Sequence, residues 1–302
     1  MDRSYILHMF SPGKQMSPFD INMAVDAGYQ VVVPYCGVTR EEITGLTQDA
    51  IFSRGPKGVK ATGIFIGGRD VMLAADMLDA ARKAMVPPFE VSVIADPSGS
   101  YTTAAALVAC VERQLRKAHA TDFAGKRVLI LGGTGTVGRI AGVIAAGLGA
   151  SVTLASHRDQ SAADKAAAET GLRFGCTLHG VGAQDESARR AALVQADVVL
   201  AAAAAGVQVV TAADLAAATA LLVAADVNAV PPEGIAGVGV MDDGKPLVGA
   251  TGAVGIGALA VGNVKYGVEN GLLVAMRIAD KPLYLGFREA FDKARELLAG
   301  KE

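Results

Sequence analysis

The stretch Val128-Leu129-Ile130-Leu131-Gly132-Gly133-Thr134-Gly135-Thr136-Val137-Gly138 decides the fold. Four apolar residues in a row read as a strand buried on both faces, and Ile140, Val143, Ile144 and Leu148 then recur at helical spacings of three and four. Between them, Gly133, Thr134, Gly135, Thr136, Val137 and Gly138 fit G-x-G-x-x-G. In that pattern the first glycine permits a tight turn, the second lets backbone approach a pyrophosphate, and the third lets helix pack closely on strand. Alone the string is weak in a chain with 36 glycines, since an ordinary turn can contain it. Its context carries it: Gly149-Ala150 stop the helix, Val152–Ala155 form the next strand, and the helix N-terminus offers N–H groups to phosphates.

Working outward, short apolar runs alternate with helix-period segments, the pattern of parallel sheets covered by helices, so the class is α/β. Upstream strands are predicted at Ile6–Phe10, Val31–Pro34, Ile64–Ile66 and Val91–Ala95, with helices from about Ser17, Asp70 and Ser100. Pro87-Pro88 is expected to end the helix that starts at Asp70. Downstream strands fall at Val198–Ala202 and Leu221–Ala225, and the last helices at Val264–Ile278 and Leu285–Leu298. The 302 residues are about twice the ~150 of one typical domain. We expect a Rossmann dinucleotide-binding domain at 121–262, and a parallel α/β domain at 1–120 to which the C-terminal helices, within 263–302, return.

Composition removes several classes. With 28 basic and 30 acidic residues and a net charge of -2, the chain lacks an electrostatic footprint for nucleic acid. The most apolar stretch, Ala191 to Val210, contains Gln195, Asp197 and Gln208, so no membrane span is expected. The N-terminus reads as no secretory signal, which makes the cytoplasm the expected location. Cys36, Cys110 and Cys176 are far apart and are expected as small buried hydrophobes, and the four histidines show no ligand spacing, so no metal is expected.

In open α/β sheets ligands bind beyond the carboxyl ends of strands. Ser156, His157 and Arg158 end the second Rossmann strand where an NAD-specific site would place an acid, which makes NADP the preferred coenzyme and NAD a possible one. The plainer reading pairs Arg158 with Asp159 as a surface contact. Ala202, Asp226 and Asn228 follow the next two strands and are further coenzyme candidates. In the first domain, Gly67-Gly68-Arg69-Asp70 and Asp96-Pro97-Ser98-Gly99-Ser100-Tyr101-Thr102-Thr103 occupy equivalent positions. There the competing readings are local: Asp70 near a helix cap, Ser98 or Ser100 as a cap, Asp96 in an Asx-turn. Asp20 sits in a first helical turn, where an acid suits the dipole without any catalytic role.

The chain resembles, from end to end, the NAD(P)-dependent methylene-tetrahydromethanopterin dehydrogenases of methylotrophic bacteria. The segments that carry the resemblance are His8–Ala24, Leu46–Arg54, Thr62–Gly68, Val86–Phe89, Ala95–Thr103, Asp226–Gly237 and Gly255–Tyr266. An NADP-only paralogue carries lysines in a segment where this chain has Ala260 and Gly262, so any role of those lysines does not transfer. The resemblance implies oxidation of methylene-tetrahydromethanopterin to the methenyl cation, with hydride passing to the coenzyme, in formaldehyde oxidation. Together with the strand-end rule, it implies a pterin site between the domains with Asp20, Asp96 and Lys265 as catalytic candidates and Arg54, Gly67, Ser98 and Thr102 around the substrate. The strand-end rule supplies the candidates from Arg54 to Thr102, and Asp20 and Lys265 rest on the resemblance. It also implies a homo-oligomer built on trimers. No tyrosine here has a lysine four residues on, the pair with which related tetrahydrofolate dehydrogenase/cyclohydrolases assist hydrolysis of the cation. Dehydrogenase activity without cyclohydrolase is therefore expected. Two other readings stay open: a methylene-tetrahydrofolate dehydrogenase, which a comparison of the two pterins would reveal, and a non-enzymatic NADP sensor, which would transfer no hydride.

Overall fold

The computed structural model describes residues 3–300, and these divide into two compact units, 3–102 with 266–293 and 103–265 with 294–300. The chain begins with β1 (Ile6–Ser11), α1 (Pro18–Asp26), β2 (Val31–Cys36), α2 (Ile43–Phe52), the single turn α3 (Gly55–Gly58), β3 (Thr62–Ile66), α4 (Val71–Lys83), β4 (Ser92–Ala95) and α5 (Ser100–His119). It continues with β5 (Arg127–Leu131), α6 (Thr136–Gly147), β6 (Ser151–Ser156), α7 (Gln160–Phe174), β7 (His179–Gly182), α8 (Glu186–Leu193), β8 (Val198–Ala201), α9 (Ala212–Ala217) and β9 (Val223–Asp226). It ends with β10 (Asp243–Pro246), β11 (Val254–Ile256), α10 (Ala258–Ile278), β12 (Tyr284–Leu285) and α11 (Phe287–Ala299).

In the first unit the sheet order is β2-β1-β3-β4-β12, all parallel. Every residue of β3 and β4 is buried, as parallel strands covered on both faces require. The edge strand β2 is largely exposed and carries Pro34, whose missing N–H an edge tolerates. Cys36 at its end is exposed, because an edge strand has only one neighbour; Cys110 is buried and Cys176 half-buried. Ser17 caps α1, with Pro18 at the first helical position. Asp70 caps α4 by accepting the Met72 and Leu73 N–H groups. That helix stops at Lys83, before Pro87-Pro88, so the prolines lie in the following turn and do not end it.

The second unit has the order β10-β11-β9-β8-β5-β6-β7, with β10 antiparallel and the rest parallel. Reversed, this is the doubly wound 3-2-1-4-5-6 order with an added edge strand, and its switch point falls between β5 and β8. Two elements here lack an apolar signature. Helix α7 buries only Ala163, Ala166, Ala167 and Thr170. Strand β7 reads His-Gly-Val-Gly and is held by the Gln160 side chain, which donates to the Gly180 carbonyl and accepts the Gly182 N–H. Gln160 thereby also covers part of an exposed sheet edge.

The crossover after β7 is fastened by Asp214, which is fully buried. Its carboxylate accepts the Thr211 N–H and hydroxyl, closing a capping box on α9, and meets Arg190 of α8 at 2.9 Å. Burial pushes its pKa up, but the Thr211 bonds, Arg190 and Arg189 outweigh this and hold it below the ordinary carboxylate value. A depressed carboxylate contributes stability above its unfolded pKa, near 4, and loses it as pH falls through the folded value. Asp214→Asn is expected to melt several degrees below the wild type at pH 7, with the gap closing as pH falls below about 4. Thermal melts of both proteins across that range check this.

Candidate active site

The glycine turn of the second unit leaves no space for side chains where backbone must meet backbone. A Cβ on Gly133 would stand 2.7 Å from Leu154 Cα, and one on Gly138 would stand 2.6 Å from the Gly132 carbonyl oxygen. Gly135, by contrast, is exposed and meets only Gly132 O, at 3.2 Å, so its missing side chain leaves room on the outside. Gly135 is also the N-cap of α6 and supplies no side-chain acceptor, so the first N–H groups of the helix lack a side-chain cap. Concave backbone, uncapped N–H groups and a positive helix end fit a pyrophosphate. Thr134, Thr136 and Val137 are half-buried along the same turn. Arg139, which the motif reading passed over, donates from Nε to the Thr134 carbonyl at 3.1 Å. Its guanidinium also reaches Glu169 and Thr170 on α7.

At the end of β6, Ser156 is buried and its hydroxyl accepts the Arg158 N–H at 3.2 Å, so it shapes the turn from inside. His157 and Arg158 are exposed. Asp159 accepts the Ala162 N–H as the N-cap of α7, and no ion pair joins it to Arg158 among the described residues. The surface-pair reading of Arg158 is thereby corrected: its neighbour's carboxylate is committed to a helix.

Beyond β8, Ala202 lies against the glycine turn, since a Cβ on Gly132 would stand 2.5 Å from the Ala202 carbonyl oxygen. Beyond β9, Asp226 is buried and accepts N–H groups from Asn228, Gly234 and Ile235. Burial raises its pKa, against the opposing pull of those three donors. The Oδ1 of Asn228 accepts from Gly206 and Val230, and its Nδ2 donates to the Pro232 carbonyl. Both side chains hold loops together at the strand ends.

In the first unit, Asp20, Gly67, Asp96, Ser98 and Thr102 all belong to segments that follow the carboxyl ends of β1, β3 and β4. Asp20 is buried in the first turn of α1, its N–H on Ser17 Oγ at 3.4 Å. Gly67 donates to the Phe10 carbonyl, and a Cβ there would press on Met16 Sδ at 3.2 Å. Asp96 is fully buried and accepts the Tyr101 and Thr102 N–H groups and the Thr102 hydroxyl, the last at 2.6 Å. The capping group of α5 is therefore Asp96; Ser98 and Ser100 were the expected ones, and their hydroxyls instead donate to Gly68 O and Pro97 O. Ser98 is exposed with φ 53°, ψ 34°, a left-handed conformation uncommon for serine and concentrated at functional sites.

Arg54 stands apart from this group. It donates to the Ser4 and Ala61 carbonyls and to Thr62 Oγ1. Those residues lie at the amino ends of β1 and β3, roughly 15 Å from the carboxyl ends at ~3.3 Å per residue. The structure therefore does not bring Arg54 to the other substrate candidates. Lys265 lies on α10 and is half-buried. The reading of the sequence missed His8 on β1, whose Nδ1 lies 3.2 Å from the Tyr35 hydroxyl on β2. Burial, and then the charge of Arg54, lower its pKa, so it is neutral near pH 7. Among the described residues no group of three or more His, Cys, Asp or Glu could hold a metal ion, and no helix is long and apolar enough to cross a membrane.

A family model described as methylene-tetrahydromethanopterin dehydrogenase, N-terminal, matches residues 18–98. The NAD(P)-dependent methylenetetrahydromethanopterin dehydrogenase of Methylorubrum extorquens is 51% identical over 292 residues, which cover 97% of this chain and 98% of that protein. The bifunctional protein MdtA of the same organism is 34% identical over 256 residues, 84% of this chain and 87% of that one. Among solved structures, the ligand-free 5-ketofructose reductase of Gluconobacter sp. strain CHM43 aligns with a TM-score of 0.49 at 19% identity, covering 98% of this chain and 99% of that one.

Because a methyl group at position 138 would meet backbone atoms and not flexible side chains, neither partner can move aside cheaply. Gly138→Ala is expected to lower thermal stability by about 1–3 kcal/mol and to weaken NAD and NADP together. Denaturant melts and titrations with both coenzymes test it; a variant as stable and as tight as the wild type would contradict the packing account.

Proposed function

The chain belongs to the family of NAD(P)-dependent methylenetetrahydromethanopterin dehydrogenases, and on that premise we propose how its own residues serve the oxidation of methylene- to methenyl-tetrahydromethanopterin. The coenzyme lies on the strand ends of the second unit and the pterin on those of the first. The observation that carries this reading is the glycine cradle, where Gly133 and Gly138 are closed to side chains and Gly135 is open, in a chain that shares half its residues with a named dehydrogenase. Bound NAD(P) supplies the hydride acceptor.

In the substrate, the C–H bond that breaks gives up both electrons with the hydrogen. A ring-nitrogen lone pair fills the gap, and the positive charge spreads over an N–C–N unit. No proton leaves in this step, so no protein base is needed. What the protein supplies is alignment of two flat rings and stabilisation of a cation. Asp20 is the carboxylate we assign to that charge. Asp96, the other candidate, has its acceptors occupied by α5 and Thr102, so its role becomes holding the Ser98–Gly99 turn toward the pterin, with Gly67 and Thr102 alongside. Lys265 is retained as a catalytic candidate on the resemblance alone.

We further propose NADP as the preferred coenzyme, because Arg158 is exposed just beyond β6, and Ser156, His157 and Arg158 stand where an NAD-specific site would place an acid. The absence of the Tyr/Lys pair supports a methenyl product that is released without hydrolysis, and a cytoplasmic oligomer built on trimers accords with the same family.

Coenzyme reduction with methylene-tetrahydromethanopterin against methylene-tetrahydrofolate, each with NAD and NADP, tests the assignment, with methenyl absorbance expected to accumulate. No reduction with either pterin would favour a sensor. Asp20→Asn should cut kcat at least tenfold and leave the KM for coenzyme within twofold, on the order expected for one lost electrostatic contact in a transition state; unchanged kcat would leave Asp20 as a helix-start residue. Arg158→Ala should raise the KM for NADP roughly tenfold and leave that for NAD nearly unchanged, since one charge-assisted bond is lost with one coenzyme only. Equal losses would mean that Arg158 supports the fold.

A further inference from the structure

Strands β8 and β9 end side by side, with Ala201 paired to Asp226. The chain then leaves each strand through a loop made largely of alanine, valine, glycine and proline, which has few polar side chains with which to fix itself. Asn228 does the fixing. It is 6% exposed, and its one carbonyl oxygen accepts from Gly206 N at 3.1 Å in the first loop and from Val230 N at 3.0 Å in the second. Its amide nitrogen donates to the Pro232 carbonyl at 2.9 Å. The loops lie in contact range, since a Cβ on Gly206 would stand 3.9 Å from Val230 Cγ1. The two valines so placed, Val207 and Val230, are 48% and 52% exposed, an apolar pair left open where a sheet collects its ligands.

The surface has a fixed relation to the coenzyme cradle. The first loop starts at Ala202, whose carbonyl abuts Gly132. A dinucleotide with its pyrophosphate on the glycine turn has one half over β6 and the other over β8 and β9. Arg158 marks the β6 side for the adenosine half. We infer that Asn228 is a positioning residue for the other half: it ties the two loops and so sets Val207 and Val230 as an apolar shelf for the nicotinamide ring, given the coenzyme placement proposed above. On this account Asn228 acts on the coenzyme through the loops, and the flat ring gains an apolar wall.

The test separates the two halves of the coenzyme. NADPH binding is followed by its fluorescence, and adenosine 2′,5′-bisphosphate binding by calorimetry, for the wild type, Asn228→Ala, Asn228→Asp and Val230→Ser. Asn228→Ala should weaken NADPH roughly tenfold or more, as three hydrogen bonds that fix the loops are lost, and abolish the fluorescence gain of the bound ring while the adenosine fragment binds as before. Asn228→Asp keeps both acceptor bonds but sets a carboxylate oxygen against the Pro232 carbonyl, and should weaken NADPH while the fragment again binds as before. Val230→Ser should weaken NADPH a few-fold, again without touching the fragment. The inference is overturned if Asn228→Ala binds NADPH like the wild type, or if NADPH and the fragment weaken in proportion. A wild type that binds the fragment but no NADPH would remove the shelf, and one that binds neither would remove the coenzyme reading itself.

Discussion

At Gly138 the first turn of α6 approaches the glycine turn that leaves β5 so closely that a single added methyl would stand 2.6 Å from the Gly132 carbonyl oxygen and 2.8 Å from Gly133 Cα. The second unit depends on that approach. It lets the helix begin immediately beyond the strand end, so that the N–H groups of its first turn face outward at the switch point and not into a neighbouring strand. The same turn meets β6 through Gly133 and the loop after β8 through Gly132. Three strands are thus registered on one run of glycines. Arg139 completes the arrangement, because a guanidinium on the Thr134 carbonyl keeps that acceptor occupied beside the N–H groups an anion would use.

Many of the polar side chains at the strand ends hold backbone. Asp96 holds the start of α5, Asp226 three amides of its own loop, and Asn228 two loops at once. The chemistry explains why such use is tolerable. A hydride transfer driven by a substrate lone pair needs no general base, so carboxylates and amides at the strand ends can be committed to geometry. What the reaction demands is that two rings be held at a fixed distance, and buried hydrogen-bonded polar groups fix loops more firmly than apolar packing of alanine and valine does.

The parallel architecture was legible because its strands are continuous apolar runs and its glycine turn has only one comfortable context. β1, β3, β5 and β8 all lie within a residue or two of their predicted bounds. Elements without such a signature were not legible. Alanine-faced α7 carries almost no hydrophobic contrast, and the short His-Gly-Val-Gly strand β7 pairs with β6 and is further held by the Gln160 side chain. Of the candidate site, the positions were readable and the directions were not. Nothing in Leu46–Arg54 says that Arg54 turns to the amino ends of β1 and β3, because that depends on the pairing of Ile6 with Thr62, far apart in sequence. Likewise Cys36 reads as a small hydrophobe, and only the edge position of β2 exposes it.

The turn after β6 shows what a coenzyme preference of the proposed kind would rest on. Ser156 is turned inward and occupied with the Arg158 N–H, which leaves the exposed Arg158 guanidinium as the group that would meet a 2′-phosphate on the proposed placement. On that placement, a bond between guanidinium and phosphate would contribute on the order of 1.5–3 kcal/mol net of the ordering it requires, which is the size of the roughly tenfold effect expected of Arg158→Ala. The carboxylate next in sequence, Asp159, is already the cap of α7. On the proposed reading such a corner would favour NADP and still accept NAD, since selectivity needs an element that repels the wrong ligand as well as one that attracts the right one.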